Sequence, residues 1–210
     1  VFSQEPPDEF SLFGMTQVIA TPHLGAATTE AQEKVALQIA QQMSDYLDSG
    51  AVVNALNMPS VSAEDAPRLK PYMNLSGQIG GLAGQVIKSG LTHVTVEYEG
   101  HAAELNTRPV TAALLEGLLS PMLSGVNMIN APILARDRGI EVSEVRHERD
   151  SEYQTLIHLS VETENQSRTV SGTLFGGDKP RIVEINGIKL EAELGKNMLY
   201  MVNKDRPGFI

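Results

Sequence analysis

The sequence predicts an α/β segment followed by an α+β domain whose sheet is largely antiparallel. Near the N-terminus a short apolar strand, 17–21, leads through a Pro-His corner into a long helix at 28–49, which is the strand-to-helix order of open α/β sheets. The last third of the chain instead alternates polar and apolar residues, and Asn186-Gly187 separates two of these segments. Because Asn-Gly favours the two-residue hairpin turn, the segments predict antiparallel strands.

The first helix has the pattern of an amphipathic helix. Thr29 with Gln32 can form a capping box at its start, and Gly50 can end it in a left-handed conformation. Apolar side chains recur at every fourth position between these ends, at Val35, Ile39, Met43 and Leu47.

A second helix is predicted from Pro67 or Pro71 to Ser89, and it is unusually rich in glycine. Each glycine costs up to about 1 kcal/mol relative to alanine in a helix interior. Four glycines in this helix therefore predict close backbone approach by a neighbouring element. Phosphate binding is the less favoured alternative, because the glycines lie in mid-helix and not in a strand-to-helix turn. They are Gly77, Gly80, Gly81 and Gly84.

The remaining elements follow from the same periodicities. A polar stretch at 60–67 is the predicted linker between the two parts of the chain. Helical spacing predicts helices at 108–123 and 131–138, and short apolar or alternating runs predict strands at 91–99, 126–129, 140–147, 155–163, 169–175, 181–185, 188–193 and 197–202.

Composition excludes several classes of function. The 210 residues include 26 acidic and 16 basic side chains, a net charge of −10, which argues against nucleic acid or an anionic membrane as a general partner. Cysteine is absent and the five histidines show no metal-ligand spacing, so neither a disulfide nor a metal site is expected. No apolar run is long enough to span a membrane and no secretory signal is present. We therefore expect a cytoplasmic protein.

The corner before the first helix presents a histidine. Pro22 fixes its own φ and disfavours the helical region for Thr21, while Gly25 permits a turn or the close approach of a ligand. The ordinary histidine pKa of about 6.5 suits a group that takes and returns one proton near neutral pH. His23 is therefore a candidate general acid/base, and a structural histidine in a loop is the alternative.

Five stretches of the chain resemble parts of a known protein family, and they occur in the same order as in that family. Stretch 18–26 is similar to the end of the catalytic part of D-2-hydroxyacid dehydrogenases, and most of all to the long form of the phosphoglycerate dehydrogenases. Stretches 54–59, 107–109 and 126–132 resemble the intervening domain of that form, and 202–208 resembles the first strand and turn of an ACT domain.

This resemblance implies a division of the chain into three parts. Residues 1–56 would close a Rossmann-type catalytic part, 57–195 would form the α+β intervening domain, and 196–210 would begin an ACT domain that is cut short. Both ends of the chain are expected to be cuts through folded units. The N-terminus lacks an initiator methionine, and the C-terminus lies where a new element should begin.

The resemblance also implies the chemistry. The family transfers hydride between NAD and carbon 2 of a hydroxy acid, here 3-phosphoglycerate, and His23 would be its general acid/base. The backbone at His23, Leu24, Gly25 and Ala26 would line the nicotinamide end of NAD. The family's glycine-rich NAD loop, its substrate-binding Arg and its Glu are expected upstream, so the 210 residues alone are expected to be inactive.

Two regulatory sites are further expectations from the resemblance. Guanidinium groups bind phosphate bidentately, and basic residues on or beside the antiparallel strands would form an anion site; a solvated charged face is the alternative, since Glu144, Glu148 and Asp150 lie beside them. Asn203 and Asp205 would bind an amino-acid effector, although Asp205 can equally be a turn residue. The anion-site candidates are Arg146, His147, Arg149, Arg181 and Lys189.

Two other functions remain open at this stage. The chain can be a non-catalytic regulatory or oligomerisation module that binds an anionic metabolite, or part of a dehydrogenase for a different 2-hydroxy acid. In each case the partners would be a small molecule and further copies of the same chain in a homo-oligomer.

Overall fold

The computed structural model describes residues 11–21, 24–87, 90–147 and 152–202. The chain divides into two compact units, Val1–Asp48 and Ser49–Ile210. Over the described residues it forms four α-helices and one six-stranded sheet. The mixed class with a mostly antiparallel sheet, predicted from the sequence, is confirmed for the second unit.

The first unit contains helix α1, Thr29–Ser49. Its first turn is capped by Thr28, whose Oγ1 accepts a hydrogen bond from the backbone N–H of Ala31 at 3.1 Å, one residue earlier than the predicted capping box. None of the 21 residues of α1 is buried. The strand predicted at 17–21 is wrong: these residues form a turn and irregular backbone. A strand needs a hydrogen-bonded neighbour, and the described residues of this unit supply none.

The second unit is built on a sheet with the strand order β2-β1-β3-β4-β5-β6. Strands β1 and β2 are parallel, and all other neighbouring strands are antiparallel. A short 3₁₀ turn, His101–Glu104, follows β1. The other elements are α2 Ala66–Val86, β1 Leu91–Gly100, α3 Thr107–Leu119, α4 Ala131–Asp137, β2 Glu141–His147, β3 Thr155–Thr163, β4 Ser167–Phe175, β5 Lys179–Ile185 and β6 Ile188–Ala192.

The hairpin between β5 and β6 has the predicted turn. Asn186 and Gly187 have φ values of 50° and 77°, so both central residues are left-handed, as a type I′ turn requires. Ile185 pairs with Ile188 across the turn. The Asn186 side chain also accepts a hydrogen bond from the backbone N–H of Thr169 at 3.1 Å, which joins the turn to β4.

Helices α2 and α3 approach each other backbone to backbone. A Cβ atom on Gly80 would collide with the carbonyl oxygen of Leu114, and one on Gly84 would collide with that of Leu118. Gly117 on α3 makes the reciprocal contact, because its Cβ would meet the carbonyl oxygen of a glycine on α2. The close approach predicted from the glycine cluster is therefore confirmed.

Two other predicted strands are wrong. Stretch 126–129 passes from irregular backbone into a turn, because the Asn127 side chain accepts hydrogen bonds from the backbone N–H groups of Ile129 and Asn130 at 2.9 and 3.0 Å. These bonds hold the backbone in a turn. Stretch 197–202 forms no strand, and Met198 to Val202 are exposed. Among the described residues β6 is an edge strand of the sheet, and the stretch that follows it does not pair with it.

The core lies between the sheet and helices α2 and α3. Its apolar residues are fully buried, among them Leu75, Ile79, Leu114, Leu118, Ile157 and Leu159. Tyr98 is also fully buried, and its hydroxyl bonds to Thr111 Oγ1 on α3 at 2.8 Å. Burial raises the pKa of Tyr98 well above the ordinary tyrosine value, since the phenolate would lose its hydration.

We expect Tyr98 to make the second unit less stable in alkali. Above the ordinary tyrosine pKa of about 10, the unfolded chain releases a proton that the folded chain keeps. The unfolded state then binds fewer protons, so the free energy of unfolding falls with pH, by about 1.4 kcal/mol per pH unit for one such group. Urea unfolding from about pH 9 to about pH 11 should show a shallower fall in Tyr98→Phe. Parallel pH curves for the two proteins would contradict the assignment.

Candidate functional site

The corner predicted for catalysis lies before α1. Leu24, Gly25 and Ala26 lie on a turn closed by a hydrogen bond from the backbone N–H of Ala27 to the Leu24 carbonyl oxygen at 3.2 Å. All three residues are exposed, and a Cβ on Gly25 would meet no atom within 4 Å. A ligand can therefore approach this backbone closely. His23 lies outside the described residues, so its role stays a prediction.

A cleft of about 400 Å³ lies over the sheet of the second unit. It is on the sheet face opposite the buried Tyr98, because neighbouring residues of a strand point to opposite faces. Among the described residues that line it, Lys189 is the only lysine or arginine, against four carboxylates. The polar lining includes Glu97, Glu99, Glu152, Glu184, His158 and Ser171. The cleft is therefore acidic.

Two candidate cations of the predicted anion site already have carboxylate partners. Arg181 Nη2 lies 3.0 Å from Glu193 Oε2, and Lys189 Nζ lies 2.7 Å from Glu152 Oε2. The hydrogen bond to Glu152 raises the pKa of Lys189, because it favours the charged ammonium. An anion at either residue would compete with a carboxylate of the chain itself.

The other candidates lie on β2 and just after it. His147 Nε2 bonds to Glu97 Oε2 at 2.8 Å, whereas Arg146 Nη2 donates to Thr107 Oγ1 on α3 at 2.7 Å. These neighbouring residues therefore point to opposite faces of the sheet. Arg149 lies outside the described residues, as do Asn203 and Asp205. The anion and effector sites stay predictions.

The structure brings together three potential metal ligands that the sequence does not reveal. Glu97, Glu99 and His147 offer ligand atoms within 4.8 Å of one another. Glu97 and His147 are 50 residues apart in the chain, and only the parallel pairing of β1 with β2 makes them neighbours. The alternation of β1 does place both glutamates on one face. Since Glu97 and His147 already bond to each other, the cluster is accounted for without an ion.

A known protein family matches the larger part of the chain. Residues 68–186, more than half of the chain, match the family described as the D-3-phosphoglycerate dehydrogenase intervening domain. The chain belongs to this family. The match begins in α2 and ends in the β5–β6 turn, so the intervening domain corresponds to the helix-covered sheet of the second unit.

Whole-chain comparison extends the similarity beyond the intervening domain. The D-3-phosphoglycerate dehydrogenase of Bacillus subtilis (strain 168) is 37% identical over 211 residues, which cover 100% of this chain and 40% of that protein. The Methanocaldococcus jannaschii enzyme of the same name is 34% identical with the same coverages. D-3-phosphoglycerate dehydrogenase 3, chloroplastic, of Arabidopsis thaliana is 32% identical and covers 100% of this chain and 39% of its own length.

These matches confirm the resemblance to phosphoglycerate dehydrogenases. The chain spans about two fifths of the length of these curated relatives. Among the described residues, no helix combines the length and the apolarity that a membrane crossing needs.

Proposed function

We propose that the protein containing this chain oxidises 3-phosphoglycerate to 3-phosphohydroxypyruvate with NAD, the entry step to L-serine synthesis. One observation carries the proposal: relatives named D-3-phosphoglycerate dehydrogenase align with the whole chain, including the corner before α1 as well as the intervening domain. A protein that shared only a regulatory domain with these enzymes would align over that domain alone.

In this proposal His23 is the general acid/base. When bound, NAD would supply the acceptor for the hydride at carbon 2 of the substrate. His23 takes the proton of the C2 hydroxyl at the same time, so that a C–H and an O–H bond break and a carbonyl forms. In the reverse direction His23 returns the proton to the carbonyl oxygen.

The residues at the corner fit the nicotinamide end of NAD. The open space over Gly25 allows a flat ring to approach the backbone of Leu24, Gly25 and Ala26. The sequence has no G-x-G-x-x-G loop for the pyrophosphate. We therefore infer that this chain contributes to an NAD site that other parts of the protein complete, and that the 210 residues alone do not turn over substrate.

The proposal also assigns the parts of the chain. Residues 1–56 close a Rossmann-type catalytic part, 57–195 are the intervening domain and 196–210 open an ACT domain, in a cytoplasmic homo-oligomer. The alternative is a non-catalytic regulatory module that binds an anionic metabolite. The two differ in a simple way, since only the dehydrogenase reduces NAD.

The full-length protein, assayed by the absorbance of NADH, tests the proposal. We expect NADH to form with 3-phosphoglycerate, and more slowly with D-glycerate and D-lactate, which lack the phosphate. The isolated 210-residue chain is the control and should give no signal. A folded full-length protein that gave no NADH with any of the three acids would favour the module. A preference for D-lactate would identify a different 2-hydroxyacid dehydrogenase.

A further inference from the structure

A second cleft, of about 590 Å³, lies beside the N-terminal half of α3. Its walls come from three stretches that are far apart in sequence, around Met58, Arg108 and Ile129, together with β2. Neither the proposed hydride transfer nor the sheet face described above uses these stretches. Most of the lining is apolar and includes Leu56, Met58, Leu115, Ile129, Ile133 and Val142. The volume lies in the range of small-molecule sites.

One carboxylate in this cleft is held in place by the fold. Glu144 on β2 accepts a hydrogen bond from Thr107 Oγ1 at 2.7 Å and another from Thr111 Oγ1. Thr107 Oγ1 also accepts a hydrogen bond from Arg146 Nη2 at 2.7 Å. Thr111 Oγ1 lies 2.8 Å from the buried hydroxyl of Tyr98, and either of these two hydroxyls can be the donor. Each hydroxyl has one hydrogen. The network therefore holds the Glu144 carboxylate in place.

Glu144 nevertheless faces the cleft. The residue is exposed, and each carboxylate oxygen has a second lone pair beyond the one that a threonine uses. The cleft therefore offers a fixed negative acceptor, one that suits an ammonium group.

Arg108 supplies the opposite charge. It lies in the first turn of α3, next to Thr107, lines the same cleft and is exposed. Within the part of the chain that the structure describes, its guanidinium has neither an ion pair nor a hydrogen bond. A guanidinium binds a carboxylate by two parallel hydrogen bonds. Glu144 would repel a purely anionic ligand, and Arg108 would repel a purely cationic one. A ligand that carries both charges therefore fits best.

We propose that this cleft binds a free amino acid with an aliphatic or thioether side chain. Its ammonium group donates to Glu144, its carboxylate accepts from Arg108, and its side chain is buried against Met58, Ile129 and Ile133. This site goes beyond the proposed dehydrogenase reaction and does not depend on it, because no residue of the cleft belongs to the His23 corner.

Calorimetry with the full-length protein tests the chemistry of the ligand. L-Leucine and L-methionine should bind. N-Acetyl-L-leucine, which lacks the ammonium, and L-leucinamide, which lacks the carboxylate, should each bind at least about tenfold more weakly, since each loses a charged hydrogen-bonding group. Hydrogen exchange should localise the site, with L-leucine protecting 56–59 and 128–133. L-Serine, which has little apolar surface to bury, should not protect them.

Variants separate this cleft from any other amino-acid site in the protein. Arg108→Gln removes a charge that has neither an ion pair nor a hydrogen bond among the described residues, so it should leave the unfolding temperature unchanged. It should weaken the binding of L-leucine at least about tenfold. Arg68→Gln is the matched control, an exposed arginine on α2 that does not line the cleft, and it should bind like the unaltered protein. Glu144→Gln should also weaken binding.

Three results would overturn the proposal. The first is that neither amino acid binds at millimolar concentration. The second is that Arg108→Gln binds L-leucine as tightly as Arg68→Gln does. The third is that protection appears only outside 56–59 and 128–133, in which case the amino acid occupies another site.

Discussion

Replacing Gly80 by alanine should destabilise the intervening domain by about 3 kcal/mol, at the upper end of the usual cost of overpacking. The added methyl group would collide with the carbonyl oxygen of Leu114 and would lie 2.9 Å from the backbone nitrogen of Leu118. Both are backbone atoms and cannot rotate away, so α2 and α3 would have to separate. Guanidinium unfolding followed by circular dichroism measures the loss as a lower midpoint.

Gly81→Ala is the matched control for this prediction. Gly81 is the next residue on the same helix, but a Cβ there would meet no atom within 4 Å. Alanine should therefore be neutral or should stabilise by up to about 1 kcal/mol through its higher helix propensity. If Gly80→Ala were as stable as Gly81→Ala, the close crossing of α2 and α3 would be wrong.

Under the proposed function, replacing His23 by glutamine should lower kcat of the full-length protein by about 10²- to 10⁴-fold, the range for loss of a general acid/base. Glutamine is similar in size and can hydrogen-bond, but it cannot take up a proton. NADH affinity should change little, because Gly25 and the neighbouring backbone stay in place. Stopped-flow rates and NADH fluorescence titration measure the two quantities separately.

His101→Gln provides the control for this second prediction. His101 is exposed and lies on the short turn after β1, in the other unit of the chain. This substitution should leave kcat unchanged. If His23→Gln had the same kcat as His101→Gln, His23 would not be the general acid/base.

Local signals in the sequence predict most of the sheet. The type I′ turn at Asn186-Gly187 needs only two residues with positive φ, and the alternation at 155–163 predicts β3 at the bounds it has in the structure. The glycine cluster of α2 likewise predicts a backbone contact without identifying its partner. The structure identifies that partner as α3.

The wrong predictions concern stretches whose conformation depends on neighbours. An apolar run such as 17–21 or 197–202 becomes a strand only where another strand can pair with it. At 126–129 the side chain of Asn127 bonds to the local backbone and holds a turn instead. These outcomes depend on pairing and on side-chain geometry, which hydrophobic periodicity does not encode.

Among the candidate functional residues, too, some are recognisable from local sequence and others only from tertiary packing. His23 and Gly25 can be singled out because the corner is local in sequence. The sequence places Glu144 only as a neighbour of basic residues, because its partners Thr107 and Thr111 lie 37 and 33 residues away. Only the packing of α3 beside β2 brings these groups together.

The pH dependence of catalysis in both directions tests the role of His23 most directly. Oxidation of 3-phosphoglycerate needs the unprotonated base, so kcat/KM should rise with pH through an apparent pKa near the histidine value of about 6.5. Reduction of 3-phosphohydroxypyruvate needs the protonated acid, so kcat/KM should fall over the same range. Both the rise and the fall of kcat/KM with pH should disappear in His23→Gln. If the variant kept both pH dependences, another group would carry the proton and the assignment of His23 as general acid/base would be wrong.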